Sequence, residues 1–298
     1  MSSSRPYPTE NHEALAKALR IGPKERVLEV GGGHNPFFRA DVIVDIDFVM
    51  GEHRDGVPLV LDRSKHSYVQ ADISALPFPD KCFDVVLCIH VLEHVRDPSL
   101  ACRELMRVAR RGFLETPRKW TEYYAGHPAH KWVVDDPGGA LTFEPILYEN
   151  SPFLNFALPA VWSSSELFEN AAYRYRDISC VQFQWEGEFV YDVKRGLPVE
   201  DDERKLAARH YGFARNLLYW NAEPERGIFH AAHASTLQPS EGRYRRMHAF
   251  YLAMCGRWRE ALKIEASPGI LLKATICLGV SRISRWLLGR LRKIVAHI

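Results

Sequence analysis

Short, continuous apolar runs alternate with polar segments along the first 120 residues. Amphipathic spacing predicts helices at residues 9–20 and 98–110. Continuous apolar runs that alternate with helices are typical of a parallel sheet covered on both faces. The pattern therefore predicts a doubly covered α/β sheet, with strands at residues 26–30, 41–47, 68–71 and 83–89 and a fifth at 112–115 that Pro117 stops.

The pattern changes after about residue 120. Residues 131–143 and 181–193 each hold two β-like runs around a turn, the second at Glu186-Gly187, and each predicts a hairpin that extends the sheet. Residues 144–165 are rich in Pro, Asn and Ser and predict a long loop or lid, part of a substrate-loop insertion at about 118–165. Helical spacing returns at residues 201–220 and 243–263, the latter broken at Gly256. We therefore expect a domain at 1–200 and a helical region at 201–298.

Three consecutive glycines, Gly31 to Gly33, follow the first predicted strand, with Glu29 just ahead of them. A loop without Cβ atoms at the end of a buried strand lets a nucleotide-like ligand approach the backbone closely. This feature narrows the function more than any other in the chain.

Acidic residues end the second and third predicted strands. Asp45 and Asp47 come only 14 and 16 residues after Gly31, whereas a dinucleotide fold places its acid about 20 residues beyond the glycines. A carboxylate at that strand end can accept two hydrogen bonds from a ribose diol, and Asp72 is placed to meet an adenine amino group. The alternative is that these acids are ordinary helix caps and turn residues; three acids placed around one glycine loop favour ligand binding.

The chain resembles the class I S-adenosylmethionine-dependent methyltransferases, in particular the type 11 group, over residues 22–117. The glycine loop alone is weak support, but a series of motifs in the expected order is specific. The matching segments are EVGGGHNP at 29–36, VDID at 44–47, ADI at 71–73, LPFPDKCFDVV at 76–86, VLEHV at 91–95 and ELMRV at 104–108. The resemblance implies a Rossmann-like fold and S-adenosyl-L-methionine as cofactor.

The resemblance also implies roles for individual residues. Gly31 and Gly33 would cradle the amino-acid end of the cofactor, and Glu29 belongs to the same set. Asp45 or Asp47 would hold the ribose; the shortened helix after the glycine loop leaves that choice open. The remaining expected contacts are Asp72 with the adenine edge, the backbone around Ile73 with the ring, and Ile89 and His90 facing the sulfonium methyl.

Histidines cluster in two places, and their spacing makes a metal site conceivable. His90 and His94 are four residues apart, and His127 and His130 are three apart. We expect no metal, because methyl transfer from a sulfonium needs alignment and exclusion of water rather than a Lewis acid. An oxygen nucleophile needs a base near neutrality, which makes His90, His127 and His130 the catalytic candidates. His94 is expected to pack, and the aromatic loop around His127 and His130 is either a substrate wall or a plain surface loop.

Charge is divided unevenly along the chain. The net charge is +2, but residues 268–298 carry +6 with no acid, so the rest of the chain carries −4, which argues against a general nucleic-acid binder. Residues 270–298 predict a basic amphipathic helix that either lies on an anionic membrane surface or docks on protein. Six scattered cysteines without a CxxC pair fit a reducing compartment, and the first residues lack a signal pattern. We expect a cytoplasmic protein with a peripheral membrane association.

These observations predict an enzyme that transfers the methyl group of S-adenosylmethionine to a small molecule or glycan, at oxygen. One alternative is an NAD-linked oxidoreductase, which the short glycine-to-acid spacing disfavours. The other is a non-catalytic, membrane-associated binding protein on the same fold. The acceptor and the oligomeric state are not encoded in any motif of this sequence.

Overall fold

A computed structural model describes residues 11–33, 35–48, 61–125, 127, 129–146, 176–194, 203–219 and 224–265. The chain divides into two compact units near residue 201. The described residues up to 194 form the first unit, and those from 203 onward form the second. The predicted lid beyond residue 146 and the basic segment at 270–298 lie outside the described residues.

The first unit is built on a six-stranded sheet of order β3-β2-β1-β4-β5-β8. The first five strands run parallel, and β8 pairs with β5 in the antiparallel sense. This mostly parallel, Rossmann-like sheet confirms the predicted fold class. Its strands are β1 (Val27–Val30), β2 (Val42–Asp45), β3 (Ser67–Gln70), β4 (Phe83–Ile89), β5 (Ala109–Pro117) and β8 (Cys180–Glu186).

Helices cover the sheet because their apolar faces match its buried strands. Helix α1 (His12–Ala18) buries Leu15, and α2 (Pro98–Val108) buries a stripe that includes Leu105 and Val108. Asp97 caps α2 by accepting hydrogen bonds from the backbone N–H groups of Ser99 and Leu100. All four residues of β1 and of β2 are buried, as expected for strands packed on both faces.

The fifth strand is longer than its sequence pattern predicts. The prediction extends the preceding helix to Arg110 and begins the strand at Gly112, but α2 ends at Val108 and β5 begins at Ala109. Ala109 takes extended backbone angles and pairs with Phe83 of β4. Pairing along the whole of β4 therefore overrides the local helical spacing.

One predicted hairpin forms and the other does not. Strands β6 (Trp132–Asp135) and β7 (Leu141–Pro145) pair in the antiparallel sense around Asp136-Pro137-Gly138-Gly139, as predicted. The second hairpin prediction was wrong, because β8 joins the main sheet whereas β9 (Tyr191–Val193) pairs in parallel with β7. The chain turns at Gly187, whose φ is +74°, and crosses to a separate sheet of order β6-β7-β9. Among the described strands, only β8 extends the main sheet beyond β5.

Two short helices flank the strands that follow β5. Helix α3 (Lys119–Ala125) begins directly after β5, and α4 (Arg176–Ser179) leads into β8. Pro117 at the end of β5 lies opposite Cys180 at the start of β8. The chain between them therefore leaves the main sheet and returns to it at one point.

The second unit is helical. Helix α5 (Glu203–Tyr219) and the pair α7 (Gly242–Met254) and α8 (Trp258–Ile264) confirm the helical spacing, with the break at Gly256, where φ is +77°. Helix α6 (Pro224–Leu237) is an addition to the prediction. The buried Tyr251 hydroxyl donates to the carbonyl of Ala214 at 2.6 Å and joins α7 to α5. No helix in the described ranges is long and apolar enough to cross a membrane.

Candidate active site

The glycine loop after β1 has a backbone that other residues do not adopt easily. Gly31 and Gly33 have φ angles of +74° and +55°. A Cβ at Gly31 would lie 2.2 Å from Cγ2 of Val91, so that position also lacks the space for a side chain. Because Gly31 has no side chain, the loop can lie close to the turn that follows β4.

Glu29 braces this loop from below. Its side chain is buried, and Oε2 accepts a hydrogen bond of 2.8 Å from the backbone N–H of Phe37. A Cβ at Gly32 would lie 2.8 Å from the same Oε2. Burial raises the pKa of Glu29 to about 7, although the hydrogen bond from Phe37 acts in the opposite direction.

A cavity of about 340 Å³ opens at the carboxyl ends of β1, β2 and β4. It lies where β1 is flanked by β2 on one side and β4 on the other, the topological switch point at which open α/β sheets bind ligands. Its size falls in the usual range for small-molecule sites. Six predicted site residues line it: Gly31, Gly33, Asp45, Asp72, Ile73 and His90.

The acids at the strand ends differ in their positions. Asp45, the last residue of β2, is 7% exposed, lines the cavity and accepts a hydrogen bond from the backbone N–H of Asp47. Asp72 caps the 3₁₀ turn Ile73–Ala75 by accepting from the N–H of Ser74 at 2.7 Å, and it lines the same cavity. The cavity lining does not include Asp47.

Four further predicted residues lie outside the cavity lining. Glu29 lies beneath the glycine loop, and Ile89 is the half-buried last residue of β4. His127 and His130 precede β6, and neither belongs to the cavity wall. The cavity lining therefore does not by itself support the catalytic roles predicted for His127 and His130.

His90, at the end of β4, is held between two buried carboxylates. Its Nδ1 lies 3.2 Å from Oε1 of Glu93, and its Nε2 lies 3.2 Å from Oε1 of Glu115. Its φ of +55° is unusual for a residue with a side chain, and its N–H donates to the carbonyl of Glu115. Burial lowers the pKa of His90, but hydrogen bonds with Cys180, Glu115 and Glu93 outweigh it and hold the pKa well above the ordinary value. His90 is therefore held by both carboxylates, and Nη1 of Arg176 also lies 3.1 Å from its Nε2.

Three other histidines and the carboxylate of Glu122 lie near this residue. The rings of His94 and His130 meet edge to face with centroids 4.5 Å apart, and His127 lies 5.4 Å from His130. The Nδ1 of His130 lies 2.7 Å from Oε2 of the buried Glu122. Burial lowers the pKa of His130, but the charge of Glu122 and its hydrogen bond raise it more, so the pKa lies above the ordinary value.

Sequence reasoning missed several members of this site. The side chains of Glu93 and Glu115 are buried, with exposed fractions of only 1% and 0%. Nη1 of Arg176 lies 3.5 Å from Oε1 of Glu115. Arg96 and Lys131 line the cavity and give that wall a positive charge. Of these residues, only Glu93 could have been noticed in the sequence, because it lies inside the VLEHV motif.

Comparisons with known proteins identify similarity to methyltransferases. The sequence model of the family described as a methyltransferase domain matches residues 43–114. A demethylmenaquinone methyltransferase of Roseiflexus sp. (strain RS-1) is 34% identical over 107 residues, which are 33% of this chain and 44% of that protein. Another, from Renibacterium salmoninarum, is 29% identical over 156 residues, 51% of this chain and 57% of that protein. The chain thus spans about half the length of the curated relatives it matches.

Solved structures give a weaker comparison. A SAM-dependent methyltransferase from Aquifex aeolicus is 16% identical and covers 39% of this chain and 69% of its own, with a TM-score of 0.30. The fold assignment therefore rests on the strand order and directions in this chain.

Proposed function

Starting from the premise that the chain contains a class I S-adenosylmethionine-dependent methyltransferase domain, we propose that it is an enzyme that methylates a small molecule or glycan. The observation that carries the proposal is the cavity at the switch point of the sheet. Its wall combines a glycine loop that excludes side chains with the strand-end acids Asp45 and Asp72.

The residues at this cavity fit the cofactor chemically. Gly31 and Gly33 line the cavity and carry no side chain, so the loop backbone can approach a ligand closely. A buried carboxylate at the end of β2 suits a ribose diol, because hydrogen bonds to a charged acceptor are stronger than neutral ones. When bound, S-adenosylmethionine supplies a methyl group already activated on a sulfonium.

We assign the contacts as follows. Gly31 and Gly33 hold the amino-acid end, Asp45 the ribose and Asp72 the adenine edge, with Ile73 against the ring. Asp45 is preferred over Asp47 because Asp45 is in the cavity wall. Ile89 and Glu29 act by position: Ile89 ends the strand that leads to His90, and Glu29 supports the loop.

The acceptor is proposed by chemical class. The relatives with printed names include demethylmenaquinone methyltransferases and an ajmaline N-methyltransferase of Rauvolfia serpentina, which is 45% identical over 49 residues, 16% of this chain and 17% of that protein. These names support a small-molecule acceptor without fixing the acceptor atom. We propose oxygen as the acceptor atom, because the cavity wall carries the cations Arg96 and Lys131. These cations would stabilise the negative charge of a deprotonated hydroxyl group.

The catalytic set is proposed as His90, His127 and His130. His90 lines the cavity with its ring between the carboxylates of Glu93 and Glu115, so it is proposed to position the acceptor rather than to remove a proton. His127 and His130 stand next to His94, which does line the cavity.

Calorimetry tests the proposal. We expect the full chain to bind S-adenosylhomocysteine and not NAD, and Asp45→Ala to weaken that binding about 10- to 100-fold, the loss of a charge-assisted hydrogen bond. Asp192→Ala, at an exposed position in β9, is the matched control and should bind as the unmodified chain does. Tight binding of NAD, or equal binding by the Asp45 variant, would contradict the assignment.

A further inference from the structure

Three metal-ligating side chains converge beside the cavity. One donor atom each from Glu93, His94 and His130 lies within 4.8 Å of the other two. Glu93 and His94 belong to the turn after β4, whereas His130 precedes β6, so the cluster joins segments that are distant in sequence. The backbone holds them together, because the N–H groups of Lys131 and Trp132 both donate to the carbonyl of Glu93, at 2.7 and 3.2 Å.

The carboxylate of Glu93 is buried and only half satisfied. Its side chain is 1% exposed, and Oε1 lies 3.2 Å from Nδ1 of His90. Oε2 is also buried, and among the described residues it has no hydrogen-bond partner. Burying a carboxylate oxygen without a partner costs free energy, and a bound cation at this oxygen removes that cost.

The two histidines have the tautomer that a metal ligand requires. Nδ1 of His130 lies 2.7 Å from the Glu122 carboxylate, and Nδ1 of His94 lies 3.3 Å from the carbonyl of Ala129. Both partners are acceptors, so in the neutral form of each ring Nδ1 carries the proton and Nε2 carries the lone pair. A carboxylate that orients a histidine from behind is the usual second layer around a protein metal ion.

We propose that Glu93, His94 and His130 bind one divalent transition-metal ion of the zinc class. Two imidazoles and one carboxylate are a donor set for zinc or iron, whereas magnesium and calcium prefer oxygen ligands alone. His127 is not a ligand in this arrangement, because its Nδ1 accepts from the N–H of Ala129 and its proton is therefore on Nε2. Three protein ligands leave a coordination position open.

This assignment replaces two earlier expectations. The sequence predicts no metal, because methyl transfer from a sulfonium needs alignment and exclusion of water rather than a Lewis acid. In this arrangement His130, one of the three proposed catalytic histidines, holds the metal at Nε2 and does not act as a base there. The metal site goes beyond the proposed methyl transfer, because its occupancy depends on neither cofactor nor acceptor.

The experiment measures metal binding directly. The full chain, stripped with a chelator, is titrated with Zn²⁺ against a chromogenic competitor, and Co²⁺ is added separately to record the visible absorption of a nitrogen–oxygen site. We expect one Zn²⁺ per chain and at least a 100-fold loss of affinity in His94→Ala and His130→Ala. Glu122→Gln, which alters only the support of His130, should lose about 10- to 100-fold.

Controls separate binding at this site from binding elsewhere. His248→Ala, in the second unit, should keep the affinity of the unmodified chain, and circular dichroism establishes that each variant is folded. Glu93→Gln keeps the shape of the side chain and should also abolish stoichiometric binding. Absence of stoichiometric Zn²⁺ and Co²⁺ binding in the unmodified chain overturns the proposal, as does unchanged affinity in the folded Glu93→Gln and His94→Ala variants. Neither measurement involves a methyl donor, so the metal proposal and the proposed function fail independently.

Discussion

Replacing Glu29 with glutamine tests whether the buried Glu29 carboxyl group ionises beneath the glycine loop and so affects stability. Glutamine has nearly the same shape, and its side-chain oxygen can accept the hydrogen bond from Phe37 that Oε2 accepts now. The substitution therefore removes the ionisable group while it preserves the contact. Any pH-dependent difference between the two proteins reports the ionisation of Glu29.

The size of the effect follows from the pKa. Burial raises the pKa of Glu29 from 4.5 to about 7, and each unit corresponds to about 1.36 kcal/mol. Because the folded pKa is raised, this group's contribution to stability is fully present below pH 4.5 and is lost as the pH rises through about 7. Above that pH the ionised carboxylate costs about 3 kcal/mol, which Glu29→Gln avoids.

Urea unfolding followed by tryptophan fluorescence provides the assay. Glu29→Gln should be more stable than the unmodified chain by about 3 kcal/mol near pH 8, and the two should converge below pH 4.5. Glu13→Gln, at an exposed position of α1, is the control for the loss of one negative charge. A stability difference that does not vary with pH, or a glutamine variant that is less stable near pH 8, would refute the reasoning.

Two further predictions concern the glycine loop and the basic segment. Gly31→Ala should destabilise the fold by about 3 kcal/mol, because it combines a positive φ with a Cβ that would lie 2.2 Å from Val91. Gly138→Ala, where φ is also positive but nothing lies within 4 Å, should cost only about 1 kcal/mol; equal losses in chemical denaturation would exclude the steric account. Removal of residues 268–298 should reduce cosedimentation with anionic liposomes, since that segment carries +6, and equal partitioning would favour docking on protein instead.

The parallel core of the sheet was predictable because its strands are buried on both faces. Strands such as β4 read as unbroken apolar runs, and a local reading of the sequence places them to within two residues. The partners of β8 and β9 could not be read in this way. Each strand has a clear local pattern, but the choice between pairing with each other and pairing with β5 and β7 is made by contacts distant in sequence.

The same distinction applies to the site. Gly31, Asp45 and Asp72 were found from their spacing, because every one follows directly from a strand end, and all three line the cavity. Glu93, Glu115 and Glu122 were missed as a group because acidic residues are ordinarily exposed. These three residues become buried only when β4, β5 and the segment before β6 come together in the fold. The local sequence around each of them does not predict this burial.

Pro117 and Cys180 are opposite each other in the β5–β8 ladder, and this has a consequence for how the protein can change. A segment whose two ends share one ladder position can be shortened, lengthened or exchanged while the strands that frame the glycine loop keep their register. Within its described residues, that segment is tied to the rest of the chain by the pairing of β7 with β9 and by the hydrogen bonds from Lys131 and Trp132 to Glu93. Selection for a new acceptor could therefore change the length and sequence of residues 118–179 while these contacts, and with them the cofactor framework, are kept.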